Sequence, residues 1–273
     1  METSAMNHRL VTIASSLPLR NFVSHYWLSL DNPDLTHAVL PDGMVDLVIK
    51  VCGATARSWV YGTTTIRTDL RLEQGSHYLG IRFKPGQSRH FVSVAAHELT
   101  DAREPSQGLL LFTLNDVPEN IARGDLFLRL DKVLECHVAR HQPTRARIDD
   151  VISLIEMTHG ATRIHEAAAL FGKSRRQFER VFLETVGVSA KFFSLITRFR
   201  HASDLLARSS ASLAGIAAEA GYTDQSHMTH AFRRLASMSP AMYARSDVAF
   251  LQDRSASSRY HDHSDEPQQG DVK

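Results

Sequence analysis

An α+β fold in two unlike halves is what this sequence predicts, with strands first and helices after. Three observations carry the prediction. Between Met44 and Phe83, short apolar and β-branched runs alternate with turns marked by glycine and proline. From Arg147 onward, apolar residues recur at helical spacing with only short gaps between segments. Within those helices one pattern occurs twice, with Gly172 and Gly221 in equivalent places.

Composition sets the outer bounds. The 273 residues correspond to roughly two domains. With 43% hydrophobic and 22% charged residues, the chain is of ordinary globular make-up. Two cysteines cannot build a disulfide framework or a zinc ribbon. The opening stretch METSAMNHRLVTIASSLP has no long apolar core, so no signal peptide is expected, and no run approaches the ~20 residues of a membrane span. A cytoplasmic location is the expectation. The 31 basic and 30 acidic residues nearly cancel, but residues 163–208 carry nine basic against four acidic. A locally basic segment in a neutral chain points to a local anionic partner.

The elements follow in chain order. Met44–Val51 comes after the turn signal Pro41-Asp42-Gly43 and reads as a strand. Trp59–Ile66, Leu70–Gln74 and His77–Phe83 read as further strands, giving a small barrel or sandwich. A helix is expected at Gln87–Val94. Another is expected at Asp125–His141, where Leu126, Leu130, Val133, Leu134 and His137 share helical spacing. Gln142-Pro143-Thr144 reads as a linker. Helices are then expected at Ala161–Phe171, Ser174–Val186, Ala190–Arg208, Leu213–Ala220 and Gln225–Leu235, after one carrying Val151, Ile152, Leu154 and Ile155. The polar segment after Leu251 reads as a disordered tail. Its His261-Asp262-His263 triplet lacks a third ligand in a structured frame, so no metal site is expected.

The repeat has a physical explanation. Ile164–Phe182 and Leu213–Phe232 each place an alanine (Ala168, Ala217) four residues before a glycine. A small residue lets two helices cross closely, and glycine tolerates the positive φ of a sharp turn. Ser174 is placed to cap the next helix. Phe178, Val181 and Phe182 face inward, leaving Arg175, Arg176, Glu179 and Arg180 outward. This is the pattern of a helix-turn-helix, whose second helix enters the DNA major groove.

These stretches carry a specific resemblance. Gly221–Ala244, with its Asp-Gln-Ser start and Ser-Pro-x-x-Tyr end, and Gly187–Leu206, like a linker helix, resemble the DNA-binding domain of AraC/XylS-type bacterial transcription regulators. Ala190, Ser237 and Met228 depart from the residues usual there. Pro41–Ile49, Val60–Thr65 and Gly80–Asp101 resemble a poorly characterised sensor domain fused to such regulators, which implies a cupin-like β-barrel. The expected domains are thus 1–142, a sensor or dimerisation domain, and 147–248, two helix-turn-helix motifs joined by a long helix. A tail spans 252–273.

The resemblance implies sequence-specific binding of double-stranded DNA, leaning towards activation, with RNA polymerase as a further partner. A small-molecule effector and a homodimer through the N-terminal domain are open expectations. Base reading is implied for Arg176, Glu179 and Arg180, which lie at i, i+3 and i+4 on one face. Arg175 is assigned to phosphate, and Glu179 has Arg175 or Arg176 as an alternative partner. The second motif offers Gln225, Ser226, His227, Thr229 and His230, with Thr229 and Arg233 able to reach phosphates. Arg198 and Arg200 are expected to brace the two motifs.

Two enzymes compete with this assignment. A metal-dependent cupin needs clustered histidines, but His77, His90 and His97 are scattered. A DNA-repair alkyltransferase needs a reactive cysteine, but Cys52 and Cys136 read as core residues. No catalytic residue and no cofactor are therefore expected. Trp27, Trp59, Tyr61 and Phe83 either line a pocket or fill the core.

Overall fold

The computed structural model describes residues 10–30, 35–114, 121 and 125–246. The polar tail and its histidine triplet lie outside the described residues. The chain begins with β1 (Leu10–Ile13), β2 (Val23–Ser29), β3 (Leu35–Val39), β4 (Val45–Cys52), β5 (Thr55–Tyr61), β6 (Thr68–Leu72), β7 (His77–Phe83) and β8 (Arg103–Pro105). Six of these form one antiparallel sheet in the order β1-β2-β7-β4-β5-β8, and β3 pairs with β6 in a separate two-stranded ladder. Then come α1 (Leu126–His141), α2 (Arg147–Met157), α3 (Ile164–Phe171), α4 (Arg175–Val186), α5 (Ala190–Arg208), α6 (Leu213–Glu219), α7 (Gln225–Ala236) and the single turn α8 (Pro240–Tyr243).

Register explains why β4 is apolar almost throughout. Leu47 lies opposite Ile81, and Ile49 opposite Leu79. These side chains share one face with Tyr26 and Leu28, and pack against Leu126, Leu130 and Leu134 of α1. Their neighbours Asp46 and Val48, opposite Arg82 and Gly80, occupy the other face. That face is covered by the β3–β6 ladder, where Leu72 joins Val48 and Tyr78 in a small buried cluster. A strand covered on both faces has little room for exposed polar residues. Each fully buried leucine of this core contributes about 1.5–3 kcal/mol.

Several elements differ from the sequence expectation. The stretch from Gln87 forms only a 3-10 turn, Gln87–His90, which follows Gly86 at φ 76°. Phe91 and Val92 then turn into the core, and Val92 bridges to Leu110. The strand through Trp59 stops at Tyr61, because Gly62 lies against the backbone of Leu99 and donates its N–H to Ala102. Helix α3 starts at Ile164 rather than Ala161, since His159 and Gly160 take positive φ and hold a turn. Both cysteines are exposed, not buried. Cys52 is the last residue of β4, before the Gly53 turn. Cys136 sits off the buried stripe formed by Leu126, Leu130, Leu134 and His137.

The helical half has two cores joined by one helix. Ile148, Val151, Ile155, Ala167, Phe171, Phe178 and Phe182 form the first with Phe193 and Ile196 of α5. Ile216, Ala217, Met228, Phe232 and Tyr243 form the second with Phe199 and Ala202 of α5. At 1.5 Å per residue, this 19-residue helix is about 28 Å long and sets the distance between the two cores.

The halves meet directly. Arg89 bonds both carboxylate oxygens of Asp149 at 2.9 and 2.8 Å, and Gln87 donates to the same group at 2.9 Å. Thr100 Oγ1 donates to the carbonyl of Gly187 at 2.6 Å. Leu40, from the strand domain, is buried in the second helical core.

Candidate nucleic-acid interface

Both motifs follow one local logic. In the first, Gly172 ends α3 at φ 72°, and the Ser174 side chain caps α4 by accepting from the Gln177 N–H at 3.3 Å. In the second, Gly221 (φ 76°) follows α6, and Asp224 caps α7 by accepting from the His227 N–H at 2.7 Å. The equivalent helix-crossing positions are less alike. Ala217 is fully buried, whereas its counterpart Ala168 is half-buried and Ala167 takes the deepest place.

On α4, Arg175, Arg176, Glu179 and Arg180 are all exposed while Phe178 and Phe182 are buried. Two of the arginines are engaged within the helix. Arg175 donates to Glu179 at 2.8 Å, and Arg180 donates to Glu184 at 2.8 Å. Arg176 has no ion pair among the described residues. On α7, Gln225, Ser226, His227, His230 and Arg233 are exposed and Thr229 is half-buried. Thr229 Oγ1 donates back to the Gln225 carbonyl at 2.9 Å. The His227 ring is held at the start of its own helix: it lies edge-on to Tyr222, and Nδ1 accepts from the Thr223 N–H at 3.4 Å.

Arg198 joins the motifs. Its Nη2 donates to the Gly160 carbonyl at 2.7 Å, and its guanidinium lies 5.6 Å from the Tyr222 ring centroid. One side chain therefore grips the α2–α3 turn of the first motif and the α6–α7 turn of the second. Burial pushes the Tyr222 hydroxyl pKa up, against the lowering effect of the Arg198 charge, so the pair keeps a neutral tyrosine. The Arg200 charge acts on Asp42 of the strand domain and Glu156 of α2, partly offsetting the rise that burial imposes on both carboxyl pKa values.

A cleft between the motifs is lined by Arg163, Lys191, Phe192, Arg198, His227 and Arg234. Arg163, Lys191 and Arg234 were not singled out from the sequence. The local basic excess hinted at Arg163 and Lys191 but not at Arg234, and the three come from separate places: the residue before α3, α5 and α7. Arg234 stacks on Phe192 at 4.8 Å from its centroid, which fixes its position. Among the described residues no group of three metal-ligating side chains occurs, and no helix is long and apolar enough to cross a membrane.

The fold and this surface define a class: a pair of helix-turn-helix units on one helix, docked against a β-sheet domain. Two family models match separate parts of the chain. Residues 167–246 match the family model described as a helix-turn-helix domain, and residues 11–105 match a domain of unknown function (DUF6597). An HTH-type transcriptional regulator of Haemophilus influenzae is 30% identical over 143 residues, covering 52% of this chain and 44% of the relative. The chain thus matches less than half the length of that curated relative. The DNA-binding domain of AdpA, solved in complex with a target DNA, is 26% identical over 37% of this chain and 92% of its own, at a TM-score of 0.35. An AraC-type regulator of Chromobacterium violaceum is 26% identical over 39% and 94%, also at 0.35. ToxT of Vibrio cholerae is 10% identical over 88% and 97%, at 0.45. Residues 167–246 of this chain are thus similar to helix-turn-helix domains.

Proposed function

We propose that this protein is a sequence-specific transcription regulator that reads two adjacent major grooves with α4 and α7 under control of the strand domain. The observation that carries this is the duplicated motif: two capped helices with exposed polar faces, both fixed to α5. The sensor or dimerisation domain is assigned to residues 1–142 and the DNA-binding domain to 147–248. Activation through RNA polymerase, a small-molecule effector, a homodimer through the strand domain and a cytoplasmic location complete the proposal.

Arg176 is the base-reading arginine of α4, because it is already unengaged. Glu179 and Arg180 read bases only after leaving Arg175 and Glu184, and exposed pairs of this kind cost little to break, about 0.3–0.5 kcal/mol. Arg175, Gln225, Ser226, His227, Thr229, His230 and Arg233 supply the remaining contacts. Arg163, Lys191 and Arg234 neutralise the backbone between the two grooves.

Footprinting of the purified protein on its own upstream DNA tests this. Protection of two grooves on one DNA face, about one helical turn apart, is expected. Binding without sequence preference would contradict it.

A further inference from the structure

Helix α4 carries one apolar side chain where its neighbours are charged. Leu183 is 39% exposed. It joins none of the hydrophobic clusters among the described residues, although Val181 of the same helix packs against the first helical core. Leu183 instead lines a surface hollow with Arg176, Glu179 and Arg180. At 3.6 residues per turn it lies about 20° around the helix from Arg176, between Glu179 and Arg180. Leu183 thus sits near the midline of the stripe proposed to read bases, not at its margin.

The fold gives this leucine no internal task. Phe178 and Phe182 supply the buried face of α4. The strand domain meets the helix beyond Leu183, where Gly86 approaches Thr185 and Thr100 donates to the Gly187 carbonyl. The hollow therefore stays open to whatever approaches the stripe. Its charged members have water or each other as partners, as Arg175 has Glu179 and Arg180 has Glu184. A leucine gains only from contact with another apolar group.

Among the groups that distinguish base pairs in the major groove, one is apolar: the C5-methyl of thymine. The others are ring nitrogens, carbonyl oxygens and amino groups. An apolar side chain pressed on one of those displaces water without replacing its hydrogen bonds, which is unfavourable. Pressed on the methyl, it buries apolar surface on both sides. The reach is adequate too. Arg176 and Leu183 are about 10 Å apart along the helix axis, which fits a groove about 12 Å wide.

We propose that Leu183 is a specificity-determining residue of the first motif, and that it packs on the C5-methyl of one thymine in the half-site read by α4. Arg176, Glu179 and Arg180 around it select polar base edges by hydrogen bonds; the leucine selects by apolar contact. This rests on α4 being a base-reading helix, as proposed above.

Deoxyuridine in place of thymine tests the contact, because it removes the methyl and leaves base pairing and every hydrogen-bonding group of the groove in place. Each thymine in the footprinted DNA is replaced singly, on both strands, and Kd is measured with the full chain. At one position the replacement is expected to weaken wild-type binding about fourfold, the worth of one buried methyl group. Leu183→Ala is expected to bind thymine and deoxyuridine equally at that position, and Leu183→Met to keep most of the discrimination. The melting temperature of Leu183→Ala is expected to match that of the wild type, since the side chain lies outside the cores, so a lost contact is separated from a lost fold. If the footprinted DNA has no position at which a deoxyuridine effect disappears in Leu183→Ala, the contact is overturned. A wild-type protein with sequence preference but no methyl effect overturns the contact alone. A wild-type protein with no sequence preference overturns the regulator function and the contact with it.

Discussion

Arg176 illustrates what single residues add to the account. Spacing alone placed Arg175, Arg176, Glu179 and Arg180 on one face, and they are exposed together there. Spacing could not show which were already paired, because i,i+4 ion pairs depend on rotamers. Arg176→Ala is expected to cost about 1–3 kcal/mol of binding and to relax preference at one base pair, measured against a panel of single-base variants. Glu179→Ala is expected to cost less for the folded protein, since it breaks only an exposed pair with Arg175. Histidines supply a pH effect. Burial, with Arg89 beside it, lowers the His90 pKa to about 4, and burial with His159 stacked at 3.9 Å lowers that of His201. Below about pH 6.5 the unfolded chain binds protons that the folded protein refuses. Stability is therefore expected to be flat above that pH and to fall as pH drops towards 4. Melting curves from pH 7.5 to 4.5 check the sign, and His90→Gln is expected to reduce the slope.

Elements were legible wherever the pattern was local. Helix α5 runs as periodicity and its flanking residues indicated, capped by Ser189, whose Oγ accepts from the Phe192 N–H at 3.2 Å. β7 likewise matches its apolar run. β2 and β3 were missed because histidine, serine and threonine interrupt their apolar runs, and only the partner strands show which face is covered. The cysteines were misplaced for a related reason: Cys136 adjoins buried His137 in sequence but points off the stripe. The departure at Ser237 has a measurable consequence. It ends α7 at φ 59°, a left-handed conformation that costs a residue with Cβ about 1–2 kcal/mol. Ser237→Gly is expected to recover about 1 kcal/mol, less some unfolded-state entropy, and to raise the melting temperature by a few degrees.

At the scale of the whole molecule, the docking of the two halves was not legible at all. Asp149 reads as an ordinary first-turn acid of α2, and it does accept from the Ala146 N–H at 2.7 Å. Its bonds to Arg89 and Gln87 cross some sixty residues of sequence and follow no local pattern. The same holds for Leu40, a strand-domain residue buried in a helical core. On the proposed function, two motifs held this way act as one reading head. Arg198→Ala is therefore expected to weaken DNA binding without removing any DNA contact, and to lower the preference for correct spacing between the two half-sites. Salt dependence adds a further check. Log affinity is expected to fall steeply with log salt, and Lys191→Ala to reduce that slope by about one while leaving base preference intact. The most direct measurement is a footprint with DNA carrying the two half-sites at their natural spacing and with five base pairs inserted between them. Two adjacent protected grooves that collapse to one on insertion are what a rigid double motif requires. A footprint of a single groove, or full protection regardless of spacing, would contradict it.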